Sequence, residues 1–102
     1  MPYTVVFTPE AEAQLIELYG YIAGEASAEI AARFTDGIVG HCEGLSTFPN
    51  RGNRRDDIRP GLRICSYRRR VAIAFHVTDD RVNILGVFYG GQDYEGAFNE
   101  EM

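Results

Sequence analysis

The sequence has no lysine and no tryptophan, and it has only two cysteines among its 102 residues. Cys42 and Cys65 show neither the spacing of a metal site nor that of a redox motif. Apolar runs are only a handful of residues long, which excludes a membrane span of about 20 residues. The first residues lack the basic and apolar regions of a secretion signal. These absences predict a cytoplasmic protein that needs no metal, no other cofactor and no membrane.

What is present is typical of a folded domain. Hydrophobic residues make up 45% of the chain and charged residues 25%, which are ordinary values for a globular protein and argue against disorder. A chain of this length can bury roughly two-thirds of its unfolded surface around one core. We therefore expect residues 1–102 to form a single domain.

The charges are strongly segregated along the chain. Residues 1–50 carry seven acidic residues and one basic residue, residues 51–81 carry nine basic and four acidic residues, and residues 82–102 carry four acidic residues and no basic one. All ten basic residues are arginines, whose planar guanidinium groups suit carboxylates and phosphates. One basic patch on an acidic body favours a specific acidic partner over general coating of nucleic acid.

The apolar pattern predicts the element order β-α-α-β-β-β. Strands are expected at residues 3–7, 62–67, 71–77 and 82–89. Thr8 and Ser27 are typical N-caps, and an apolar stripe at helical spacing follows each of them, the second ending at Pro49. Two helices joined by so short a loop should be antiparallel and cover one face of a mainly antiparallel sheet, which is an α+β fold. The nearly unbroken apolar run 71–75 indicates a central strand.

The second predicted helix contains three glycines, Gly37, Gly40 and Gly44. Each costs about 1 kcal/mol relative to alanine in a helix interior. We therefore interpret all three as positions where another element packs closely against the helix.

Several short motifs resemble a known family. They are Phe7-Thr8-Pro9-Glu10-Ala11, Phe48-Pro49-x-x-Gly52, Arg59-Pro60-Gly61-Leu62-Arg63, Tyr67-Arg68-Arg69-Arg70 and Val87-Phe88-Tyr89-Gly90-Gly91-Gln92-Asp93. Together they resemble a ParE toxin, a branch of the RelE/ParE superfamily found in type II toxin–antitoxin systems. The resemblance extends over most of the chain and implies a RelE/ParE-like fold of the same element order.

The resemblance also implies a function. ParE toxins with an assigned target act on DNA gyrase and trap it with broken DNA, and they are associated with plasmid stabilisation. A ParD-like antitoxin holds each toxin inactive through a flexible segment that is both acidic and apolar. Its other end, a ribbon-helix-helix, binds operator DNA, so we expect the toxin to meet DNA only indirectly.

Two sets of residues are candidates for binding the antitoxin. The arginines are Arg51, Arg59, Arg63, Arg68 and Arg70, of which Arg59, Arg63 and Arg70 are favoured because they flank or enter strands. The apolar candidates are Leu18 and Ile22 on the first helix. Other interpretations remain open. The arginines could form a solvated face or contact nucleic-acid phosphates, and the apolar pair could lie in the core.

The related RelE branch cleaves mRNA on the ribosome, and this is the enzymatic alternative. RelE-type members rely on lysines and arginines around the phosphate and on a C-terminal tyrosine. Here there is no lysine, and Gln92 stands where the nuclease branch has a basic residue after its last strand. His76 is a possible general base without an evident partner. We therefore predict no catalytic residues.

The segment around the end of the last strand is the predicted surface for the cellular target. Its candidate contacts are Tyr89, Gln92, Tyr94 and Phe98. A third possibility is a module that has lost its toxicity and only pairs with an antitoxin.

Overall fold

A computed structural model of the chain describes residues 3–90 and Phe98. The elements are β1 (Thr4–Phe7), α1 (Pro9–Glu25), α2 (Ala28–Glu43), a 3₁₀ turn (Gly44–Ser46), β2 (Asn53–Arg54), β3 (Arg63–Tyr67), β4 (Val71–Val77) and β5 (Arg81–Tyr89). In the described ranges no helix has the length and apolarity needed to cross a membrane.

Both helices begin at the predicted caps. The Thr8 hydroxyl accepts a hydrogen bond from the backbone N–H of Ala11 at 3.2 Å, and the Ser27 hydroxyl accepts one from Ile30 at 3.1 Å. Each side chain therefore satisfies one of the four N–H groups that a helix start leaves unpaired. The Thr8 hydroxyl also donates to the Ile84 carbonyl at 3.0 Å, which fixes the start of α1 against β5.

The strands form one five-stranded sheet in the order β1-β5-β4-β3-β2. β1 pairs with β5 in parallel, and the other neighbours are antiparallel. The helical hairpin carries the chain over one face of the sheet before the antiparallel strands begin, and such a crossover permits the parallel pairing. The predicted α+β fold with a helical hairpin on a mainly antiparallel sheet is confirmed. The two-residue strand β2 was not predicted.

Hydrophobic side chains cover both faces of the sheet. Ile38 of α2 packs with Ile73, Phe75 and Ile84 in the main core between the helices and the sheet, and all four are fully buried. A smaller cluster on the opposite face contains Leu62, Ile64, Ala74 and Phe88, with Ile58, Leu85 and Phe98 packed against it. β4 contributes to both clusters, so the prediction of a central, doubly covered strand is confirmed.

A β-bulge interrupts the pairing of β4 with β5. Ala74 lies opposite Gly86 and Phe75 opposite Ile84, which leaves Leu85 as the extra residue. The backbone N–H of Val87 donates to the Gln14 Oε1 of α1 at 2.7 Å. Because of the extra residue, the helix-facing positions of β5 change from Val82 and Ile84 to Val87 and Tyr89.

Of the three glycines predicted in the second helix, Gly37 and Gly40 lie in α2 and Gly44 begins the 3₁₀ turn, and close packing explains only one of them. A Cβ at Gly37 would overlap the Tyr67 hydroxyl, which lies directly over the helix at that point. A Cβ at Gly40 or at Gly44 would meet no atom within 4 Å. The prediction of close packing is thus confirmed for Gly37 and wrong for Gly40 and Gly44.

We expect alanine substitutions at two of these glycines to have opposite effects on stability. Gly37→Ala should lower the free energy of unfolding by about 1–3 kcal/mol, because the new methyl group displaces Tyr67. Gly40→Ala should raise it by about 1 kcal/mol, because the methyl group enters open space and the helix propensity improves. Urea denaturation followed by circular dichroism measures both values. An equal gain in both variants would show that Tyr67 moves aside without loss.

Candidate functional site

Four aromatic rings gather where α1 ends, α2 begins and β3 and β5 end. The Phe34 ring contacts Tyr67 and Tyr89 edge-on, with centroid separations of 5.7 and 5.9 Å. Tyr21 of α1 lies 6.1 Å from Tyr89. We call this group (Tyr21, Phe34, Tyr67 and Tyr89) the aromatic end. Its tyrosines combine apolar rings with polar hydroxyls, a combination common in protein interfaces.

Two clefts open beside the aromatic end. The first, of about 220 Å³, is lined by Ile30, Arg33, Phe34, Tyr67 and Arg68, and its Ile30 side chain is 49% exposed. The second, of about 280 Å³, lies between α1 and β5 and is lined by Gln14, Glu17, Leu18, Tyr21, Val87 and Tyr89. The first cleft therefore has an apolar base and two guanidinium groups at its rim, which suits a segment carrying both apolar and acidic side chains.

The β3–β4 turn places arginines at the mouth of the first cleft. Arg68 and Arg69 have φ angles of 53° and 61°, and the Arg70 N–H donates to the Tyr67 carbonyl at 3.2 Å. Two successive left-handed residues are typical of a type I′ turn, where Asn-Gly is the preferred pair. Arginine is strained there by about 1 kcal/mol per residue. This turn therefore carries arginine side chains although its left-handed backbone conformation disfavours them.

The turn arginines also differ from other arginines in their electrostatic surroundings. Arg68, Arg69 and Arg70 are exposed, and within residues 3–90 none of them forms an ion pair. The Arg68 guanidinium lies 5.5 Å from the centre of the Tyr67 ring. The cluster can therefore offer several donors to carboxylates of a partner without first breaking an internal ion pair.

By contrast, the arginines at the end of β2 and at the start of the following loop pair with aspartates of that loop. Arg54 lies 2.9 Å from Asp56, and Arg55 donates two hydrogen bonds of 3.0 Å to Asp57. The Gly61 N–H and Arg54 hold the pKa of Asp56 below its usual range, and Arg55 does the same for Asp57. The internal carboxylates thus compete with any external partner of this loop.

Residues 5–94 match the sequence profile of the family described as the ParE toxin of the type II toxin–antitoxin system, parDE. The chain belongs to this family. None of the curated proteins matches it significantly.

Solved structures agree with the family in fold. A chain of the chromosomal ParDE toxin–antitoxin system from P. aeruginosa is 24% identical and superposes with a TM-score of 0.76 over 86% of this chain and 96% of its own. A chain of the RelBE2 toxin–antitoxin complex from Mycobacterium tuberculosis is also 24% identical, with a TM-score of 0.54 over 87% of this chain and 99% of its own. At this identity the likeness concerns the fold alone.

The arginines predicted in this ParE-family chain lie in separate places. Arg63 donates to the carbonyls of Asn50 and Arg51 at 3.1 and 3.4 Å, so it braces the preceding loop. Arg51 lies 5.3 Å from the Phe48 ring in that loop. Arg59 covers the Phe98 ring at 5.1 Å on the face of the sheet opposite the helices. Arg68 and Arg70 are the two of the five that the fold brings to the aromatic end.

The apolar candidates of the ParE-family chain are core residues. Leu18 is 6% exposed and Ile22 is 8% exposed, and both belong to the main core. Leu18 also lines the second cleft beside Tyr21. The core interpretation is confirmed for both, and a direct contact with a partner stays a prediction.

The predicted target contacts are only partly described. Tyr89 lies half-buried in the aromatic end. Phe98 packs against Phe88 at 5.9 Å, on the opposite face of the sheet. Gln92 and Tyr94 lie outside the described residues.

The cysteines and metal-binding side chains of the described residues are poorly suited to nucleophilic catalysis or to metal binding. Burial raises the pKa of Cys42 to about 12 and that of Cys65 to about 11, so the reactive thiolate is scarce at neutral pH. The His41 Nε2 lies 3.9 Å from the Cys65 sulfur, and burial together with Arg51 lowers the pKa of that histidine. No group of three metal-binding side chains occurs among the residues described.

Sequence reasoning missed part of the site. Ile30 and Phe34 were assigned to the apolar stripe of the second helix, Tyr21 and Arg33 were not candidates, and Arg69 was not chosen among the antitoxin contacts. The pairing of Val71 with Tyr89 and of Val71 with Tyr67 brings the rings together. Strand register of this kind has no local signal in the sequence. By contrast, the turn itself was predictable, because the gap between the strands expected at 62–67 and 71–77 assigns Arg68 and Arg69 to it, and the structure confirms this.

We expect replacement of the turn by Asn-Gly to stabilise the fold. Arg68→Asn with Arg69→Gly should raise the free energy of unfolding by about 2 kcal/mol, because both positions then accept a left-handed conformation. Urea denaturation measures the change. The matched control is Arg68→Gln with Arg69→Gln, which removes the same charges, keeps the strain and should shift stability by less than about 0.5 kcal/mol. Equal stability of the two variants would show that the turn stores no strain.

Proposed function

We propose that this ParE-family chain is a toxin that acts by binding other proteins, that a ParD-like antitoxin neutralises it, and that its cellular target is DNA gyrase. The observation that carries the proposal is the arginine turn (Arg68 to Arg70) beside the first cleft, with a left-handed backbone at Arg68 and Arg69 and no ion pair of its arginines within residues 3–90. Strain of this kind is most often retained where a function requires it. The setting of this activity would be the cytoplasm.

The arginine turn and the first cleft match the chemistry expected of the antitoxin segment. A flexible segment loses conformational entropy when it binds, so it needs strong contacts over a short length. Charge-assisted hydrogen bonds from Arg68 and Arg70 to its carboxylates would supply part of this free energy. Its apolar side chains would fill the cleft over Ile30 and Phe34. The operator DNA would be bound by the antitoxin and reach this chain only through it.

The positions of the candidate acid–base groups support binding over RNA cleavage. His76 alternates with the helix-facing residues Phe75 and Val77 of β4, so it lies on the opposite face of the sheet from Tyr89. Tyr89 pairs with Val71, five residues from His76, which corresponds to about 17 Å along the strand. A general base and acid must reach the same phosphate group, and these two cannot. The chain also has no lysine to stabilise the transition state.

The aromatic end is the best candidate surface for gyrase. Tyr89 is at the end of β5, immediately before the segment that contains Gln92 and Tyr94. Exposed Tyr21 and half-buried Tyr89 present two aromatic side chains to a partner. Rigid aromatic side chains commonly dominate the binding energy of protein interfaces. The role of Phe98 is separate, because its ring lies on the other face of the sheet.

We expect Arg68→Glu to weaken antitoxin binding by at least about tenfold, or 1.4 kcal/mol. The charge reversal replaces an attraction to carboxylates by a repulsion, and it should also reduce the salt dependence of the affinity. Isothermal titration calorimetry at two salt concentrations measures both. Arg81→Glu is the matched control, since it makes the same change at an exposed position at the other end of β5. Unchanged affinity in the Arg68 variant would exclude the turn from the interface.

We expect the isolated chain, added in stoichiometric amount, to inhibit supercoiling by purified gyrase and to leave cleaved DNA. Prior addition of the antitoxin should prevent both effects. Intact supercoiling would overturn the gyrase assignment and leave the toxin–antitoxin assignment standing.

Messenger cleavage in a translation extract would support the RelE-like alternative. Unimpaired growth of cells that produce the folded chain alone would support a non-toxic module that only pairs with an antitoxin.

A further inference from the structure

β5 extends beyond the end of its neighbour β1, and a cleft lies beside this last part of β5. Phe7, the final residue of β1, pairs with Ile84, whereas β5 continues to Tyr89. The start of α1 runs beside β5 there, and a cleft of about 300 Å³ lies between them. We call it the edge cleft. Its apolar lining consists of Leu85, Phe88 and Phe98, and its polar lining includes Glu10, Gln14 and Arg59. An apolar lining with a few polar groups is typical of small-molecule sites.

The two charged side chains of the edge cleft are not neutralised inside the chain. Within residues 3–90 and Phe98, neither Glu10 nor Arg59 forms an ion pair, although both line the same cleft. The Arg59 guanidinium lies over the Phe98 ring at 5.1 Å from its centre, a contact that uses none of the five N–H donors. The cleft therefore holds a positive and a negative group that are both available to a ligand.

Gln14 adds a neutral donor to the edge cleft. Its Oε1 accepts the Val87 N–H at 2.7 Å, at a point of β5 where β1 has already ended. Because a backbone N–H can only donate, the side-chain oxygen must face it, and this bond fixes the orientation of the amide. In the described part of the chain the amide nitrogen of Gln14 donates to no other group. It is therefore available to a carboxylate.

The start of α1 does not by itself form an anion site in the edge cleft. Pro9 has no N–H, the Ala11 N–H is bonded to the Thr8 hydroxyl at 3.2 Å, and the Glu12 N–H is bonded to the Thr8 carbonyl at 3.0 Å. Among these first four helical residues only Glu10 keeps an N–H without such a bond in the described structure. The carboxylate of the same residue repels an anion, so the helix start contributes little to anion binding.

The charges of the edge cleft select one class of ligand. A simple anion would be attracted by Arg59 and repelled by Glu10, and a simple cation would experience the reverse. A neutral apolar molecule would remove water from both charged groups without replacing their hydrogen bonds, which is unfavourable. A molecule with both a carboxylate and an ammonium group satisfies both side chains.

We infer that the edge cleft binds a free α-amino acid with an apolar side chain. The ligand carboxylate would accept hydrogen bonds from Arg59 and from the Gln14 amide nitrogen, and the ligand ammonium would donate to Glu10. The ligand side chain would pack against Leu85 and Phe88. The edge cleft shares no residue with the aromatic end or with the first cleft. Its ligand therefore does not depend on the antitoxin or gyrase assignment.

The test uses L-phenylalanine as the probe, together with two analogues that each lack one charge. N-acetyl-L-phenylalanine has no ammonium group, and L-phenylalanine amide has no carboxylate. Titration of the full chain followed by ¹H–¹⁵N NMR should show saturable shifts at the backbone amides of Leu85 and Phe88 and at the side-chain amide of Gln14. L-phenylalanine should bind at least about tenfold more tightly than either analogue.

Two substitutions assign the two charges of the ligand to their partners. Glu10→Gln should weaken the binding of L-phenylalanine at least about tenfold without weakening that of N-acetyl-L-phenylalanine, which has no ammonium group to lose. Arg59→Gln should weaken the binding of L-phenylalanine to a similar extent without weakening that of L-phenylalanine amide. The matched controls are Glu12→Gln and Arg81→Gln, which make the same changes at exposed positions outside the cleft and should leave the affinity unchanged.

Three results would overturn the inference. They are the absence of saturable shifts with L-phenylalanine, equal binding of the probe and both analogues, and binding of the probe that neither Glu10→Gln nor Arg59→Gln weakens. Arg68→Glu should leave the affinity for L-phenylalanine unchanged, which distinguishes a failure here from a failure at the arginine turn.

Discussion

The hydrogen bond from the Val87 N–H to the Gln14 side chain fixes the arrangement on which the candidate site depends. It joins α1 to β5 one residue beyond Gly86, where the bulge has just shifted the alternation of the strand. Without the extra residue, Phe88 would face the helices and Tyr89 would face the opposite side. With it, Tyr89 meets Phe34 and Tyr21, and Phe88 completes the second cluster under Phe98. A partly buried hydrogen bond therefore lies beside the bulge that directs Tyr89 to one face of the sheet and Phe88 to the other.

Gly86 shows how closely this region is packed. A Cβ at Gly86 would lie 2.6 Å from the Phe88 ring and 3.3 Å from the Gln14 Oε1. A side chain at this position would therefore disturb both the aromatic ring and the hydrogen bond. Only glycine lets the helix approach the bulge so closely. The stability of the sheet and the geometry of the aromatic end consequently depend on the same few atoms.

The sequence predicted those parts of the fold that have local causes. Thr8 and Ser27 are caps because of their own side chains, and the apolar periods of the helices and of β4 reflect the faces that they bury. β2 has only two residues, too few for a period, and it exists because it pairs with β3. The parallel pairing of β1 with β5 joins segments more than 70 residues apart, and no local pattern encodes it.

The candidate site was less predictable for the same reason. The arginine-rich segment is visible in the sequence, but the separate environments of its members depend on the fold. Arg63 braces a loop through two backbone carbonyls, and Arg59 covers an aromatic ring that follows it by 39 residues. Composition cannot distinguish these arginines from Arg68, because all of them carry the same charge. Three-dimensional contacts decide which guanidinium groups are already engaged and which remain available.

The net charge of −5 conceals a strong separation of acidic and basic residues within the fold. The helices carry seven acidic residues and one arginine, whereas residues 51–81 carry an excess of five positive charges. An acidic segment approaching the helices is repelled, and its approach to the arginine turn is favoured. A basic helix experiences the opposite field. Because these forces act over about 10 Å at moderate salt, they select the surface before any contact forms. The charge pattern therefore distinguishes two surfaces of a small domain by the sign of the charge that each attracts.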